Sequence, residues 1–365
     1  MYKNLFGFVV TVLAFLSLNV FPTPGAGLVF AGEDWVSETP ARHGLDEKKL
    51  ASLITAIKKK DIFPDTHSLL VIRNGVLVSE TYFSGWRANR LHMLQSVSKS
   101  FTSAVIGIAV DRGEIKGVDE KILDFFPQFA SENREESRTR ISIENLLTMR
   151  SGTAYHERGS NSPHSRLNRR SRGWDSFYIR QPMVSEPGTK FLYDSGGVIF
   201  LSAILKQQTG IHADEYAAKT LFPALGIEQW DWSKNRDGHP HTGGGLDLVP
   251  RDMAKLGQLY LQGGVWNGQQ VISGEWVEAS IQKHVSWNLR KDHTLGYGYL
   301  WWLLEPDPAG PGTEYVYAAM GFRGQYIFVV PEHDLVVVIT AGARGRAQNA
   351  LIDILYDYIF PALIR

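Results

Sequence analysis

The sequence contains no cysteine, and this absence removes several chemistries at once. A chain without cysteine has no disulfide, no cysteine nucleophile, no thiolate zinc site, no iron–sulfur cluster and no lipid-modified cysteine. A net charge is also lacking, since 38 lysine and arginine residues balance 38 aspartate and glutamate residues. Because no overall field attracts a polyanion, no nucleic-acid partner is expected.

Several familiar catalytic signatures are missing as well. There is no Gly-x-Ser-x-Gly turn, no phosphate-binding loop, no Gly-x-Gly-x-x-Gly after a strand and no His-Glu-x-x-His pair. His239 and His241 flank a proline in a glycine-rich loop, but no third ligand follows at useful spacing. We therefore expect a polar turn there, and neither a metal nor a cofactor in the protein.

The first residues have the pattern of an export signal. Lys3 precedes an apolar run over 5–21, and Val29-Phe30-Ala31 resembles a cleavage site. We predict a signal peptide over 1–31, cleaved near Ala31, and a periplasmic or secreted protein without stable membrane insertion. The alternative is an uncleaved anchor, although about 17 apolar residues are at the short limit of what spans a bilayer.

Hydrophobic periodicity predicts the main helices and strands of the remaining chain. Leucine and isoleucine at three- and four-residue spacing predict a helix over 41–60. Asn74-Gly75, a strong hairpin signal, separates two β-rich runs. The predicted strands are Ser68–Arg73, Val76–Phe83, Glu314–Ala319, Gln325–Val330 and Leu335–Ala341, and further helices are predicted over Ser98–Asp111 and Gln348–Leu363.

Strands near both ends and helices between them predict an α/β (α+β) fold. We expect one antiparallel sheet built from both termini and flanked by helices, with an inserted, mostly helical lobe. The predicted domain covers 41–360, with a sheet lobe at about 41–95 and 286–365 and a helical lobe at about 96–285. Hairpin connections argue against a doubly wound parallel sheet.

Two Ser-x-x-Lys patterns are candidates for catalysis, Ser96-Val-Ser-Lys99 and Ser280-Ile-Gln-Lys283. Ser96 follows a β-rich region and opens an apolar helix, where free N–H groups favour developing negative charge. Lys99 lies one turn further on the same helix face. The second pair lies in a polar helix, where both residues are expected to be solvated. We predict Ser96 as nucleophile and Lys99 as its base.

A lysine base has to be held neutral and needs a partner that relays the proton. Starting from a pKa of about 10.4, neutrality at pH 7 costs roughly 4.6 kcal/mol, which burial among apolar residues supplies. Tyr193 in Tyr193-Asp194-Ser195 is the predicted relay, and Ser195 is expected to donate a hydrogen bond to substrate. Gly321 and Phe322 are predicted to complete an oxyanion hole with the Ser96 N–H.

With these elements in order, the sequence resembles the serine β-lactamase-related superfamily over about residues 40–360. This group includes class C β-lactamases, penicillin-binding carboxypeptidases, family VIII esterases and 6-aminohexanoate-dimer hydrolases. The matching segments are Gln95–Phe101, Ile143–Gly152, Glu186–Phe191, Gly243–Leu246, Arg251–Gly257 and Gly321–Pro331. The resemblance implies a two-lobed fold, an acylated Ser96, Lys99 and Tyr193 as base and acid, and hydrolysis of the ester by water.

Two departures from the family pattern indicate which branch of the superfamily the sequence resembles. Class C β-lactamases and many carboxypeptidases have Tyr-x-Asn and a late-strand Lys-Thr-Gly or His-x-Gly. This chain has Tyr193-Asp194-Ser195. Its late strand has Ala319-Met320-Gly321 or, in a shifted register, Phe322-Arg323-Gly324, and neither offers a lysine or histidine to hold a substrate carboxylate. Arg323 is a possible substitute cation. The pattern looks more like the 6-aminohexanoate-dimer hydrolase and esterase branch.

Three other features each have a structural and a functional interpretation. A cluster of four arginines either is a solvated basic loop or attracts an anionic substrate; it consists of Arg166, Arg169, Arg170 and Arg172. The aromatic run over 296–302 alternates like a core strand or lines a substrate groove. Tyr155 is a candidate to project into the cleft.

The leading prediction is an exported serine hydrolase that cleaves an amide or ester bond of a small molecule or short peptide. One alternative is a β-lactamase or D-alanyl-D-alanine carboxypeptidase. The other is a non-catalytic module that retains the fold to bind cell-wall or peptide ligands.

Overall fold

The computed structural model describes residues 35–130, 136–290, 293–304 and 314–364, so the predicted signal peptide lies outside the described residues. The strands are β1 (Thr66–Arg73), β2 (Val76–Tyr82), β3 (His92–Met93), β4 (Trp230–Trp232), β5 (Leu246–Leu248), β6 (Val265–Trp266), β7 (Gln269–Gln270), β8 (Val285–Arg290), β9 (His293–Tyr297), β10 (Trp302–Leu304), β11 (Val316–Gly321), β12 (Gln325–Val330) and β13 (Leu335–Ala341). The α-helices are α1 (Glu47–Lys59), α2 (Ser98–Asp111), α3 (Pro127–Ala130), α4 (Ile143–Leu147), α5 (Pro163–Asn168), α6 (Trp174–Ile179), α7 (Ser195–Thr209), α8 (Ala213–Lys219), α9 (Leu221–Ala224), α10 (Pro250–Leu261), α11 (Gly274–Ile281), α12 (Arg346–Ala350) and α13 (Phe360–Ala362).

Eight strands form one antiparallel sheet in the order β2-β1-β13-β12-β11-β10-β9-β8. The hairpin β1–β2 therefore lies beside the last strand of the chain, which confirms that both ends build one sheet. Every residue of β12 and β13 is buried, without the alternation of a half-exposed strand. Such strands are covered on both faces, and the hydrophobic core sits around them.

The helices α2 to α11 all fall between β3 and β8 along the chain. The helix α2 has the bounds that the sequence predicts, and its residues from Ser98 to Ala109 are all buried. A helix that is buried on every side is a central core element rather than an amphipathic surface helix. It therefore holds the residues at its N-terminus rigidly.

Two predicted helices have different bounds in the structure. Over 41–60, a 3₁₀ turn at Pro40–His43 precedes α1, whose N-terminus is capped by the Asp46 side chain. The predicted helix Gln348–Leu363 is instead α12, a π-helical segment at Ile354–Ile359, and α13. Pro361 contributes to this break, because it has no N–H to donate within a continuous helix.

Two local expectations need correction. The run over 296–302 is not one strand, because Gly298 N–H donates to Trp301 O in a turn between β9 and β10. A side chain at Gly298 would collide with Ser280 O, so the backbones approach closely there. Ser280 itself is fully buried, with its hydroxyl bonded to Trp276 O, and is not solvated as predicted. Ser280 shares the buried face of α11 with Trp276, Val277 and Ile281.

No helix within the described ranges combines the length and apolar character needed to cross a membrane.

Gly257 lets α10 approach the sheet, since a Cβ there would lie 2.7 Å from Ile327 Cγ2 and Val336 Cγ1. We expect Gly257→Ala to lower the unfolding free energy by about 1–3 kcal/mol, because overpacking outweighs the helix preference for alanine of about 1 kcal/mol. Urea denaturation measures the change. Gly117→Ala is the control, because a Cβ there meets no atom within 4 Å. Equal stability of the two variants would contradict this prediction, because it would show that the contact between α10 and the sheet adjusts to the added methyl group without cost.

Candidate active site

Ser96 is presented by a tight turn at the start of the central helix. It lies in a 3₁₀ turn, Gln95–Val97, that leads directly into α2. Gln95 has a left-handed backbone with φ 51°, and Ser98 Oγ donates to Gln95 O at 2.7 Å. The strained residue and its hydrogen bond turn the chain sharply, so that the half-buried Ser96 faces the cleft.

Lys99 meets Ser96 as the sequence predicts. Its Nζ lies 2.8 Å from Ser96 Oγ and 2.5 Å from Gly243 O. The side chain is 1% exposed. Burial lowers the pKa of Lys99 to about 8, and the charges of Glu157 and Asp194 oppose this shift. A lysine with this pKa is neutral in a useful fraction of molecules near neutral pH.

Tyr193 lies beside both groups. Lys99 Nζ is 4.8 Å from the centre of its ring, which stacks on Trp302 at 5.6 Å. Burial and the charge of Glu157 raise the pKa of Tyr193, while a hydrogen bond with the Ser96 side chain opposes the shift. The phenol therefore stays protonated at neutral pH.

Asp194 is a structural residue of the site. It caps α7 by accepting from Gly197 N–H at 2.8 Å, and it also accepts from Tyr178 Oη at 2.7 Å and Ser151 Oγ at 3.2 Å. Burial raises the pKa of Asp194 to about 7, against these three hydrogen bonds. The cap fixes where α7 begins, and so where the neighbouring Tyr193 and Ser195 point.

Ser195 does not face substrate as expected. It is buried, its N–H donates to Glu157 Oε1 at 3.1 Å, and its hydroxyl donates to the same oxygen. A hydroxyl that is already committed to a carboxylate has no proton left for a ligand. We expected Ser195 to present a hydrogen-bond donor at this position, and the structure has the carboxylate of Glu157 there instead.

A cavity of about 690 Å³ opens over Ser96 and Tyr193. Most of its lining surface is apolar, and Glu157 and Arg158 are the charged residues among those that line it. The other lining residues are His156, Phe191, Leu192, Leu295, Trp302, Met320, Gly321, Phe322, Tyr326, Gln348 and Asn349.

The late strand reaches the turn that carries Ser96. Gly321 ends β11, and a Cβ on it would lie 2.4 Å from Leu94 O, next to the turn that carries Ser96. Only glycine allows this approach. Phe322 is 55% exposed at the cleft rim. The structure thus brings Gly321 and Phe322 to the same cavity as Ser96.

Arg323 and Tyr155 are not among the cavity-lining residues. Arg323 has a left-handed backbone, its N–H donates to Gln348 Oε1, and its guanidinium lies 5.9 Å from the Phe322 ring centre. Tyr155 is fully buried, with its hydroxyl 3.1 Å from His164 Nδ1. The expectation that Tyr155 projects into the cleft is therefore wrong, because its ring packs inward against Tyr178 and Gly196.

The two charged cavity residues that the sequence did not indicate come from an irregular segment. Glu157 and Arg158 lie in a polar loop with no periodicity or motif to mark them. Trp302 belongs to the aromatic run over 296–302, which is largely buried core and also supplies this one wall of the groove. Both interpretations of that run therefore hold.

The remaining polar clusters lie away from the cavity. Arg166 and Arg170 lie over the Phe177 ring at 5.4 and 5.1 Å, Arg172 pairs with Asp237, and Arg169 donates to Ser160 O. None of the four arginines is among the residues lining the cavity, which favours the solvated-loop interpretation.

Of the two loop histidines, His239 is buried and His241 is half-buried, and Gly244 N–H donates to His241 O in the turn that follows. Burial lowers the pKa of His239 to about 3 and that of His241 to about 4, so both are neutral. Among the residues that the structure describes, no group of three histidine, aspartate or glutamate side chains is arranged to hold a metal ion.

Comparison with known proteins agrees with this architecture. The 6-aminohexanoate-dimer hydrolase of Paenarthrobacter ureafaciens is 25% identical over 320 residues, covering 82% of this chain and 78% of its own. A family VIII carboxylesterase structure superposes with a TM-score of 0.64 at 16% identity, covering 87% of this chain and 97% of its own. The octameric penicillin-binding protein homologue from Pyrococcus abyssi has a TM-score of 0.64 at 17% identity, covering 87% and 78%. The "Beta-lactamase" family model matches residues 65–357, and the chain therefore belongs to the beta-lactamase family.

Proposed function

We propose that the protein is an exported serine hydrolase that cleaves an amide or ester bond through an acyl-Ser96 intermediate. The observation that carries the proposal is the 2.8 Å separation of Lys99 Nζ and Ser96 Oγ, with Lys99 buried. The relative named 6-aminohexanoate-dimer hydrolase and the fold shared with a carboxylesterase support this branch of the family.

In the first step, neutral Lys99 accepts the Ser96 proton as Oγ attacks the substrate carbonyl carbon. With a pKa of about 8, roughly a tenth of Lys99 is neutral at pH 7. One Nζ–H remains bonded to Gly243 O, which aims the nitrogen lone pair at Ser96. The N–H groups of Ser96 and Phe322 are the proposed donors to the oxyanion.

Tyr193 is the proposed relay to the leaving group. Its protonated hydroxyl donates to the departing nitrogen or oxygen, and it regains a proton from Lys99 as the carbon–heteroatom bond breaks. A water molecule then attacks the ester, passes its proton to the same pair, and releases the acid and free Ser96. The reaction needs no group beyond these side chains and water.

The cavity walls indicate an acyl group with apolar character. The lining includes the apolar residues Phe191, Leu295, Trp302 and Met320, so a carbon chain or ring gains by leaving water there. Met320 also belongs to the late strand, where related lactamases have a cation to hold carboxylate. A neutral or apolar acyl donor is therefore the better fit.

Intact-mass spectrometry after brief exposure to a mixed panel of esters, amides and β-lactams tests the proposal. We expect an added acyl mass on the native chain and none on Ser96→Ala. The same spectrum of periplasmic or secreted protein should show a chain beginning near Gly32, as cleavage after Ala31 requires. Acylation that persists in Ser96→Ala would refute the nucleophile, and a retained Met1 in the mature protein would refute cleavage.

A β-lactam or D-alanyl peptide is the second candidate substrate. The exposed Arg158 lines the cavity and is the cation available there to meet a substrate carboxylate. In the same panel, a stable penicilloyl mass that is lost in Arg158→Gln would favour this candidate over the apolar ester.

A further inference from the structure

Glu157 is fixed at the N-terminus of a long helix. Its Oε1 accepts both the N–H and the hydroxyl of Ser195, the first residue of the 15-residue helix α7. Free N–H groups and the helix dipole both favour a negative charge at this end. The carboxylate is thus held in one place and lines the cavity beside the nucleophile.

A short chain of contacts connects this carboxylate to Lys99. Ser195 packs against Gly243, where a Cβ would lie 2.8 Å from Ser195 Cβ. Gly243 O in turn accepts from Lys99 Nζ at 2.5 Å. Ser195, which holds Glu157, therefore also touches Gly243, which holds Lys99. These contacts place the carboxylate of Glu157 close to the ammonium of Lys99.

Several charged or titratable groups act on Lys99. Two carboxylates favour its ammonium form, while a charge on either of two histidines would oppose it; these groups are Glu157, Asp194, His164 and His241. Tyr193 presents its ring face. Asp194 is about half protonated near pH 7, and both histidines have lowered pKa values. Glu157 is therefore the main group that opposes the desolvation of the lysine.

We propose that Glu157, held by Ser195, is a positioning residue whose charge sets the pH at which Lys99 becomes a base. The inference rests on the proposed function, in which neutral Lys99 deprotonates Ser96. Burial pushes the lysine toward neutrality and Glu157 pulls it back toward the ammonium. Without that carboxylate, a larger fraction of Lys99 is neutral at a given pH, and the enzyme works in more acidic solution.

The test is the pH profile of kcat/KM for a p-nitrophenyl butyrate substrate in the native chain and in Glu157→Gln. Glutamine keeps an oxygen for the two Ser195 donors and removes only the charge. The acidic limb of this profile is the pH range in which kcat/KM rises as Lys99 loses its proton. We expect the limb to move down by half a pH unit or more in Glu157→Gln. At a pH well below the limb, kcat/KM should then rise by about threefold or more. Glu157→Asp, which keeps the charge, should restore the native limb.

Glu186→Gln is the matched control, because this glutamate is exposed and pairs with Arg140 outside the cavity. Its acidic limb should equal that of the native chain. A merely structural Glu157 would lower kcat/KM at every pH without moving the limb, and that result, or a limb that moves up, would overturn the inference. If no ester acylates the native chain, the result refutes the proposed function itself and does not test the role of Glu157. If folded Glu157→Gln is too slow to assay by turnover, the pH dependence of fluorophosphonate labelling of Ser96 reports the same lysine.

Discussion

Replacing Lys99 by methionine should lower kcat/KM for ester hydrolysis by about 10²–10⁴-fold, the usual contribution of a positioned general base. Methionine has a similar length and suits a site that is 1% exposed, so the fold should persist. The variant loses only the group that accepts the Ser96 proton. The remaining activity should also lose its acidic limb, because no lysine then titrates beside the nucleophile. Steady-state kinetics between pH 5 and pH 9 measures both effects.

Lys255→Met is the matched control for this prediction. Lys255 is also buried, but it lies in α10, where it pairs with Asp252 at 2.7 Å and donates to Gly226 O at 2.8 Å. Its loss leaves a buried carboxylate without that partner and should cost stability. Activity per folded molecule should be unchanged. A Lys99→Met enzyme that retains more than a tenth of native kcat/KM would contradict the base role.

The contact between Ser96 and Lys99 was predictable because its signal is local. Ser96 and Lys99 are three residues apart, and a helix places residues at this spacing on one face. The apolar sequence that follows then requires burial of the lysine. In the same way, Asn74-Gly75 and the β-rich run over Leu335–Ala341 indicate pairing and burial without information from distant residues.

Residues whose role depends on tertiary contacts were not predictable in this way. Ser195 follows a tyrosine in a pattern typical of substrate binding, yet its hydroxyl is taken by Glu157 from a loop 38 residues earlier. Tyr155 and Glu157 are two residues apart in that loop, and neither periodicity nor a motif indicates which of them faces the cavity. Burial decides it, because the apolar ring of Tyr155 packs inward while the carboxylate remains beside solvent and helix N–H groups.

The unfolding free energy should fall as pH drops below 6.5, because the buried His239 and the half-buried His241 are neutral in the folded protein. Their pKa values of about 3 and about 4 lie below the unfolded value of 6.5. Between these limits the unfolded chain binds the protons, so stability decreases with falling pH by about 1.4 kcal/mol per pH unit for each histidine. Asp194 has the opposite sign, because its pKa of about 7 lies above the unfolded value of 3.8, and acid stabilises the folded form through it. This one carboxyl offsets the contribution of only one of the two histidines to the pH dependence of the unfolding free energy.

Comparing variants isolates the histidine contribution from every other group that titrates. His241 Nε2 lies 3.1 Å from Asn168 Oδ1, and a glutamine amide offers a similar donor. Urea unfolding of His241→Gln should therefore show a slope of stability against pH that is smaller by up to about 1.4 kcal/mol per unit between pH 6.5 and pH 4. His156→Gln, which replaces an exposed histidine, is the comparison variant. An unchanged slope in His241→Gln would mean that His241 takes up its proton in the folded protein, and an NMR titration of its ring would then show a midpoint near 6.5 instead of near 4.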